Sequence, residues 1–255
     1  MELSNQQNLL DLYLYLANRG LTKSRQQNKY FEFSSSEFGW PNAILIDKDE
    51  NVTLNDLTQL SGLIINEHTQ TVVLTPSVNI NIHQDVIKQS PYSFAAFWIS
   101  MYKDIHAEYN PEELPAVNDS RLEIKSATSE KDLMDCIETL NNTLFQQDKL
   151  NKQYIEKDSF GEDITWLMGS VDNRVITTLM IYFDKATHIA GIYNVCTQPE
   201  YRNMGIGKAM MKCAFIEILL NGTNKAVLQS TDMGKKLYSG LGFIKDGYYG
   251  LLTKR

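Results

Sequence analysis

The chain has 255 residues, 43% hydrophobic and 22% charged, a globular balance with room for one large domain or two ordinary ones. Its formal charge of −7 is uneven: residues 1–119 hold 7 Lys+Arg against 15 Asp+Glu, and residues 120–255 hold 17 against 16. The acidic front half argues against nucleic acid as a partner, and the lack of any 18-residue apolar run excludes a membrane-spanning helix.

The opening stretch ELSNQQNLLDLYLYLAN sets Leu9, Leu10, Tyr13 and Leu14 at helical spacing. Lacking a basic leader and a small-residue cleavage site, it reads as an amphipathic helix and not a signal peptide, so a cytoplasmic chain is expected. NAILIDKD reads as a strand ending in a turn. TLNDLTQLSGLII reads as a helix, with Thr53 as its N-cap ahead of Leu54, Leu57, Leu60 and Leu63. TVVLTPS is a short buried strand. SFAAFWISMYKDI, with Phe94, Phe97, Trp98 and Tyr102, is expected to form a helix whose aromatic face packs in a core. YNPEELPAVNDSR, residues 109–121, breaks every periodic pattern and marks the domain boundary. Residues 1–115 thus form a mixed α/β domain with no phosphate loop and no defensible catalytic spacing.

The second half is sharper. RLEIKSA alternates Leu122 and Ile124 with charges, as a strand does. TSEKDLMDCIETLNNTLF is a helix opened by Thr128 or Ser129, with Leu133, Ile137 and Leu140 on one face. ITWLMGSVDNRVITTLMIYFD is a hairpin turning at Val171-Asp172-Asn173, and AGIYNVCTQPEYR a further strand that stops near Pro199. A helix through KAMMKCAFIEILL follows, with Met211, Ala214, Phe215 and Ile218 inward and Asn221-Gly222 at its end. KAVLQS is a strand, MGKKLYSGLGF a short helix closed by glycine, and GYYGLL a terminal strand. Cys136, Cys196 and Cys213 are odd in number and lack metal-ligand spacing, which suits reduced thiols and no metal.

EYRNMGIGKAMM, residues 200–211, carries the chemistry. It places an arginine and two glycines between a strand and a helix, where main-chain N–H groups and the helix dipole gather an anion. A dinucleotide loop would need Gly or Ala where Met210 stands, and a Walker loop would need Ser or Thr where Ala209 stands. Glycines without a Cβ let a diphosphate approach the backbone, and Arg202 and Lys208 can balance its charge.

With DMGKKLYSGLGF about 30 residues on, the block YNVCTQPEYRNMGIGKAMM resembles the GCN5-related N-acetyltransferase (GNAT) family over residues 120–255. The resemblance implies an α+β fold of three layers, α/β/α, with a mixed, mostly antiparallel sheet and splayed central strands. It implies acetyl-CoA as co-substrate, its pyrophosphate held by Arg202, Asn203, Met204, Gly205, Ile206, Gly207 and Lys208. The main chain of Val195, Cys196 and Thr197 would pair with the pantetheine arm, and the Val195 N–H would hold the developing oxyanion. Tyr238 stands where the family places the acid that protonates the departing thiolate.

Two positions depart from the family. No carboxylate precedes Val195, where Ile192, Tyr193 and Asn194 stand, so the base is a water chain on Asn194 or Tyr193, a remote His188 or Glu162, or an amine already neutral. Thr231 replaces an asparagine that contacts the cofactor in many members. A nucleophilic Cys196 is not expected. The implied activity is acetyl transfer to a primary amine of a small molecule or peptide, by a monomer or homodimer; the alternative is a non-catalytic acyl-CoA-binding regulatory module. The front half is either a degenerate copy of the same fold or an unrelated cap that forms the acceptor pocket.

Overall fold

The computed structural model describes residues 2–27, 30–34, 40–46, 53–63, 71–74, 80–106, 117–145 and 162–255. The prolines of the expected boundary, Pro111 and Pro115, lie outside these residues. The chain divides into two compact units, Met1–Met101 with Gln229–Lys235 and Lys245–Arg255, and Tyr102–Leu228 with Lys236–Ile244.

In chain order the first part holds α1 (Glu2–Asn18), β1 (Lys23–Gln27), β2 (Tyr30–Ser34), β3 (Ala43–Ile46), α2 (Leu54–Leu63), β4 (Thr71–Leu74), α3 (Ile80–Gln89) and β5 (Tyr92–Asp104). Helix α1 buries Leu9, Leu12, Tyr13 and Leu16, at i, i+3, i+4 and i+7, so its inward face is turned from the expected Leu14. Tyr13 meets Phe33 and Trp40 edge-on, at 5.2 and 5.6 Å between ring centroids. Tyr30, Ile44, Leu57, Ile87, Tyr92 and Leu252 form a shared core cluster. Thr53 caps α2 as expected: its hydroxyl accepts the Asp56 N–H at 3.2 Å, and the Asp56 carboxylate accepts the Thr53 N–H at 2.7 Å.

The expected helix over SFAAFWISMYKDI is instead the strand β5. Phe94, Phe97 and Trp98 mimic a helix face by their i, i+3, i+4 spacing, yet aromatic and β-branched residues favour strands. The inward–outward alternation of β5 breaks at Ala95, Ala96 and Phe97, all exposed, and the Phe94 and Phe97 rings stack at 5.2 Å. Three further elements, β1, β2 and α3, lie between those expected from the sequence, and the polar run KSRQQ of β1 carries no strand-like alternation.

The later elements are β6 (Glu123–Ser126), α4 (Glu130–Thr143), β7 (Ile164–Val171), β8 (Arg174–Asp184), β9 (Ile189–Thr197), a 3-10 turn Pro199–Tyr201, α5 (Ile206–Leu220), β10 (Lys225–Ser230), α6 (Asp232–Gly240) and β11 (Ile244–Lys254). The Ser129 hydroxyl caps α4 by accepting the Asp132 N–H. The β7–β8 hairpin turns on Asp172 and Asn173, at φ +50° and +64°, values these two residue types tolerate best after glycine.

Strands β10, β9, β8, β7 and β6 lie side by side, antiparallel except that β9 and β10 run parallel. On β8, Thr178 lies against Cys136 of α4, while its neighbour Thr177 shares a face with Gly169, whose absent Cβ would meet Met210 of α5. Successive strand residues point to opposite faces, so α4 and α5 cover the two faces of the sheet. This is a three-layer α/β/α arrangement.

Gly169 is required there. A Cβ would lie 2.4 Å from Thr177 Cγ2 and 3.3 Å from Met210 Sδ. Gly169→Ala is expected to cost about 1–3 kcal/mol, read as a lowered midpoint in urea unfolding; an unchanged midpoint would contradict this packing.

Among the described residues the chain order repeats. The series α1-β1-β2-β3-α2-β4-α3-β5 is followed, after β6, by α4-β7-β8-β9-α5-β10-α6-β11. The pairing senses repeat as well: antiparallel, antiparallel, parallel across β1-β2-β3-β4, and again across β7-β8-β9-β10.

Candidate functional site

The chain leaves β9 at Thr197, makes the turn Pro199–Tyr201 and enters α5 at Ile206. Gly205 caps α5 at φ +84° with no side-chain hydrogen bond, and Asn203 sits at φ +62°. A left-handed residue here suits glycine. The first amides of the helix to find a protein acceptor are those of Lys208 and Ala209, both on the Gly205 carbonyl at 3.1 Å. The N–H groups of Asn203, Met204, Gly205, Ile206 and Gly207 find none among the described residues. Five open donors at the positive end of a 15-residue helix make an anion cradle. Arg202 and Lys208 are exposed beside it, and Arg202 Nε donates to the Thr197 carbonyl at 3.0 Å, which ties its side chain to the end of β9. A Cβ on Gly207 would lie 3.3 Å from Leu237, so this turn tolerates little added bulk.

The strand feeding the loop is irregular in two useful ways. Opposite β8 its register shifts: Thr178 faces Cys196 and Met180 faces Tyr193, so Asn194 and Val195 together oppose Leu179. This is a β-bulge, with Asn194 at φ +55° and its Nδ2 buried without a partner. Bulges re-aim backbone groups, and here the next N–H is that of Val195. On its other side β9 pairs with β10 only at Ala190–Ala226 and Gly191–Val227, while β9 itself continues to Thr197. Among the described residues the β10 pairing does not reach Val195–Thr197, so the central strands splay there. Thr177 pins the free end from the β8 side, its hydroxyl donating to the Cys196 carbonyl at 2.8 Å.

Residues 162–245 match the family model described as an acetyltransferase (GNAT) domain. They are a GNAT domain. The family is one of acetyltransferases that use acetyl-CoA. Among solved structures, a GCN5-related N-acetyltransferase from Kribbella flavida superposes with a TM-score of 0.68 at 10% identity, over 97% of this chain and 95% of its own. A functionally unknown conserved protein from Staphylococcus epidermidis gives 0.64 at 14% identity, over 91% and 93%. A protein assigned to the GNAT family from Novosphingobium aromaticivorans gives 0.58 at 14%, over 98% and 97%. At such identities the likeness is one of fold. No curated protein matches the chain.

Within the GNAT domain, Tyr238 lies near the C-terminal end of α6, buried, its ring edge-on to Phe243 at 5.9 Å. Its hydroxyl has no hydrogen-bond partner among the described residues. Burial pushes the phenol well above its ordinary 10.0, and the neighbouring Cys196 thiol adds to the rise. Tyr238 and Cys196 therefore share one environment. Burial pushes the Cys196 thiol up to about 11, against the lowering effect of the Thr143 hydroxyl, the Thr178 main chain and Arg202. A thiol held protonated at neutral pH is a poor nucleophile.

Thr231 caps α6, the Gly234 N–H approaching its carbonyl at 3.1 Å and its hydroxyl at 3.4 Å. The remote candidates for a base lie at the other end of β9. His188 is exposed in the β8–β9 turn, and Glu162 is ion-paired with Lys185 of that turn at 3.1 Å. Six residues of strand put His188 about 20 Å along the chain from Asn194. Two residues that the sequence reading did not single out also bear on the loop. The Asn118 N–H donates to the Met204 carbonyl at 3.1 Å, and Arg121 braces the segment that carries Asn118.

Buried thiols and phenols give the molecule an alkaline limit. Burial pushes Cys136 and Tyr92 up to about 12, from 9.0 and 10.0, and Cys213 to about 11. These groups keep their protons to higher pH in the folded chain than in the unfolded one. Their contribution to stability is complete below pH ~9 and is lost as the pH climbs toward 12. Thermal melts should show Tm level up to about pH 8.5 and falling steeply by pH 11; a flat Tm through pH 11 would contradict these burials.

Proposed function

We propose that the GNAT domain moves the acetyl group of acetyl-CoA to a primary amine of a small-molecule or peptide acceptor by direct attack. One observation carries this reading: among the described residues, five open N–H groups at an uncapped helix start adjoin the strand end Val195–Thr197, which the β10 pairing does not reach. Acetyl-CoA supplies a thioester joined by an extended amide-bearing arm to a diphosphate, and both features suit what the chain leaves open.

In this reading the amides of Asn203, Met204, Gly205, Ile206 and Gly207 hold the diphosphate, with Arg202 and Lys208 balancing its charge. The main chain of Val195, Cys196 and Thr197 bonds the arm as an added strand would. The Val195 N–H, turned by the bulge, polarises the thioester carbonyl, and Tyr238 donates its proton toward the sulfur. Because burial holds that phenol neutral, Tyr238 acts as a hydrogen-bond donor at any working pH. The ammonium proton leaves through a water chain near Asn194 or Tyr193, or the amine attacks already neutral.

The first series of elements is, in this reading, a second copy of the same fold without a donor site. Its α2 start is closed by its own Thr53–Asp56 capping pair, where α5 is left open. The segment ahead of it, DKDEN at residues 47–51, sets three carboxylates against one lysine and would repel a diphosphate.

An amide-resolved NMR titration with acetyl-CoA tests the donor assignment. Saturable shifts at residues 195–197 and 203–207, with Thr53–Asp56 unmoved, are expected. Absence of binding at millimolar acetyl-CoA, or shifts confined elsewhere, would refute it.

A further inference from the structure

We infer that Arg121 is a positioning residue for the diphosphate grip, acting through a strap made of residues 118–121. This rests on the donor assignment above and concerns residues that touch no part of the proposed substrate. The strap begins at the β7–β8 turn. Arg121 Nη1 reaches the Asp172 carboxylate there at 2.5 Å. The same guanidinium grips Asp119 with two parallel bonds, Nε to Oδ1 at 2.9 Å and Nη2 to Oδ2 at 2.8 Å. Asp119 is almost fully covered, its side chain 8% exposed, so the fork holds a fixed target. Its Oδ1 also accepts the Arg121 N–H at 3.0 Å, which curls the chain into a compact turn. Next to Asp119, the Asn118 N–H donates to the Met204 carbonyl at 3.1 Å.

That last bond reaches the cradle. In a trans peptide the carbonyl of one residue and the N–H of the next point in opposite directions across one rigid plane. Holding the Met204 carbonyl toward Asn118 therefore aims the Gly205 N–H the opposite way, among the five open donors. Neither Met204 nor Gly205 has a side-chain hydrogen bond to set this plane, and Gly205, at φ +84°, is free to turn. The strap supplies the constraint that the loop itself lacks. Arginine suits the role, since a lysine cannot hold both oxygens of Asp119 and Asp172 from one planar fork.

The test compares wild type with Arg121→Ala, and with Asp172→Ala as a milder cut at the far end of the strap. Coenzyme A is titrated calorimetrically, and S-acetylpantetheine, which lacks the diphosphate, is titrated by NMR on the β9 amides. Arg121→Ala is expected to weaken coenzyme A by about five- to tenfold, the worth of one well-aimed hydrogen bond, and to leave S-acetylpantetheine unchanged. The Gly205 amide resonance of the free protein should move while those of α4 stay in place, and Asp172→Ala should show the same pattern with smaller shifts. Wild-type coenzyme A affinity in a folded Arg121→Ala, or equal weakening of both ligands, overturns the inference. If Arg121→Ala does not fold, an unmoved Gly205 amide with unchanged affinity in Asp172→Ala overturns it as well. Failure of the wild type to bind coenzyme A would instead overturn the donor assignment, and this inference with it.

Discussion

A Tyr238→Phe variant is expected to bind coenzyme A as tightly as wild type and to turn over about 10²- to 10³-fold more slowly with the best acceptor. Phenylalanine keeps the ring contact with Phe243, so the packing role of the residue survives. The hydroxyl has no hydrogen-bond partner among the described residues, so removing it orphans no donor or acceptor among them. If Tyr238 were only a wedge between helix and sheet, the variant would be nearly silent in every assay. A loss confined to kcat, with binding and Tm preserved, is the signature of a group used in the transition state. Parallel loss of coenzyme A affinity and Tm would assign Tyr238 to packing.

The second large effect is expected at Gly205. A Gly205→Val variant should lose about 100-fold or more in coenzyme A affinity, equivalent to two charge-assisted hydrogen bonds. Its φ of +84° is a conformation that a β-branched residue all but excludes. The chain must then turn the 204–205 peptide, and with it the amides of Gly205 and Ile206 leave their common aim. The helix beyond is anchored by Ile206, Ala209, Met210, Met211, Ala214, Phe215 and Ile218, all buried, so the fold should persist with a modest drop in Tm. Asparagine tolerates left-handed backbone, as Asn203 and Asn194 do here. Gly205→Asn should therefore recover most of the affinity, which separates a backbone requirement from a need for empty space.

Much of this site was legible in the sequence because its signals are local. Gly205 and Gly207 stand in chain order between a strand and a helix, and Tyr238 follows within a short helix closed by Gly242 at φ +84°. The hairpin turn at Asp172-Asn173, the Thr53 cap and the inward face of α5 were readable for the same reason. The rest depends on contacts between distant residues. The bulge at Asn194 carries no glycine to announce it, and only the register opposite Thr178 and Met180 reveals it. Arg121 reads as one charge in a turn-rich stretch until it meets Asp172 fifty-one residues away. The aromatic residues of β5 satisfy a helical spacing by coincidence, and composition would have decided better than period. Ahead of Val195, where the family often carries a carboxylate, Ile192 and Tyr193 are buried, and an unpaired carboxylate at so dry a position would be costly.

Acetyl transfer is read by release of free thiol from acetyl-CoA with a panel of lysine peptides, polyamines and aminoglycosides. Amine-dependent thiol release is expected with at least one acceptor, with the acetyl group recovered on that amine by mass and the rate cut by Tyr238→Phe. Saturable acetyl-CoA binding with no thiol release above the buffer rate for any amine would contradict it, and would leave a chain that binds the acyl donor without using it.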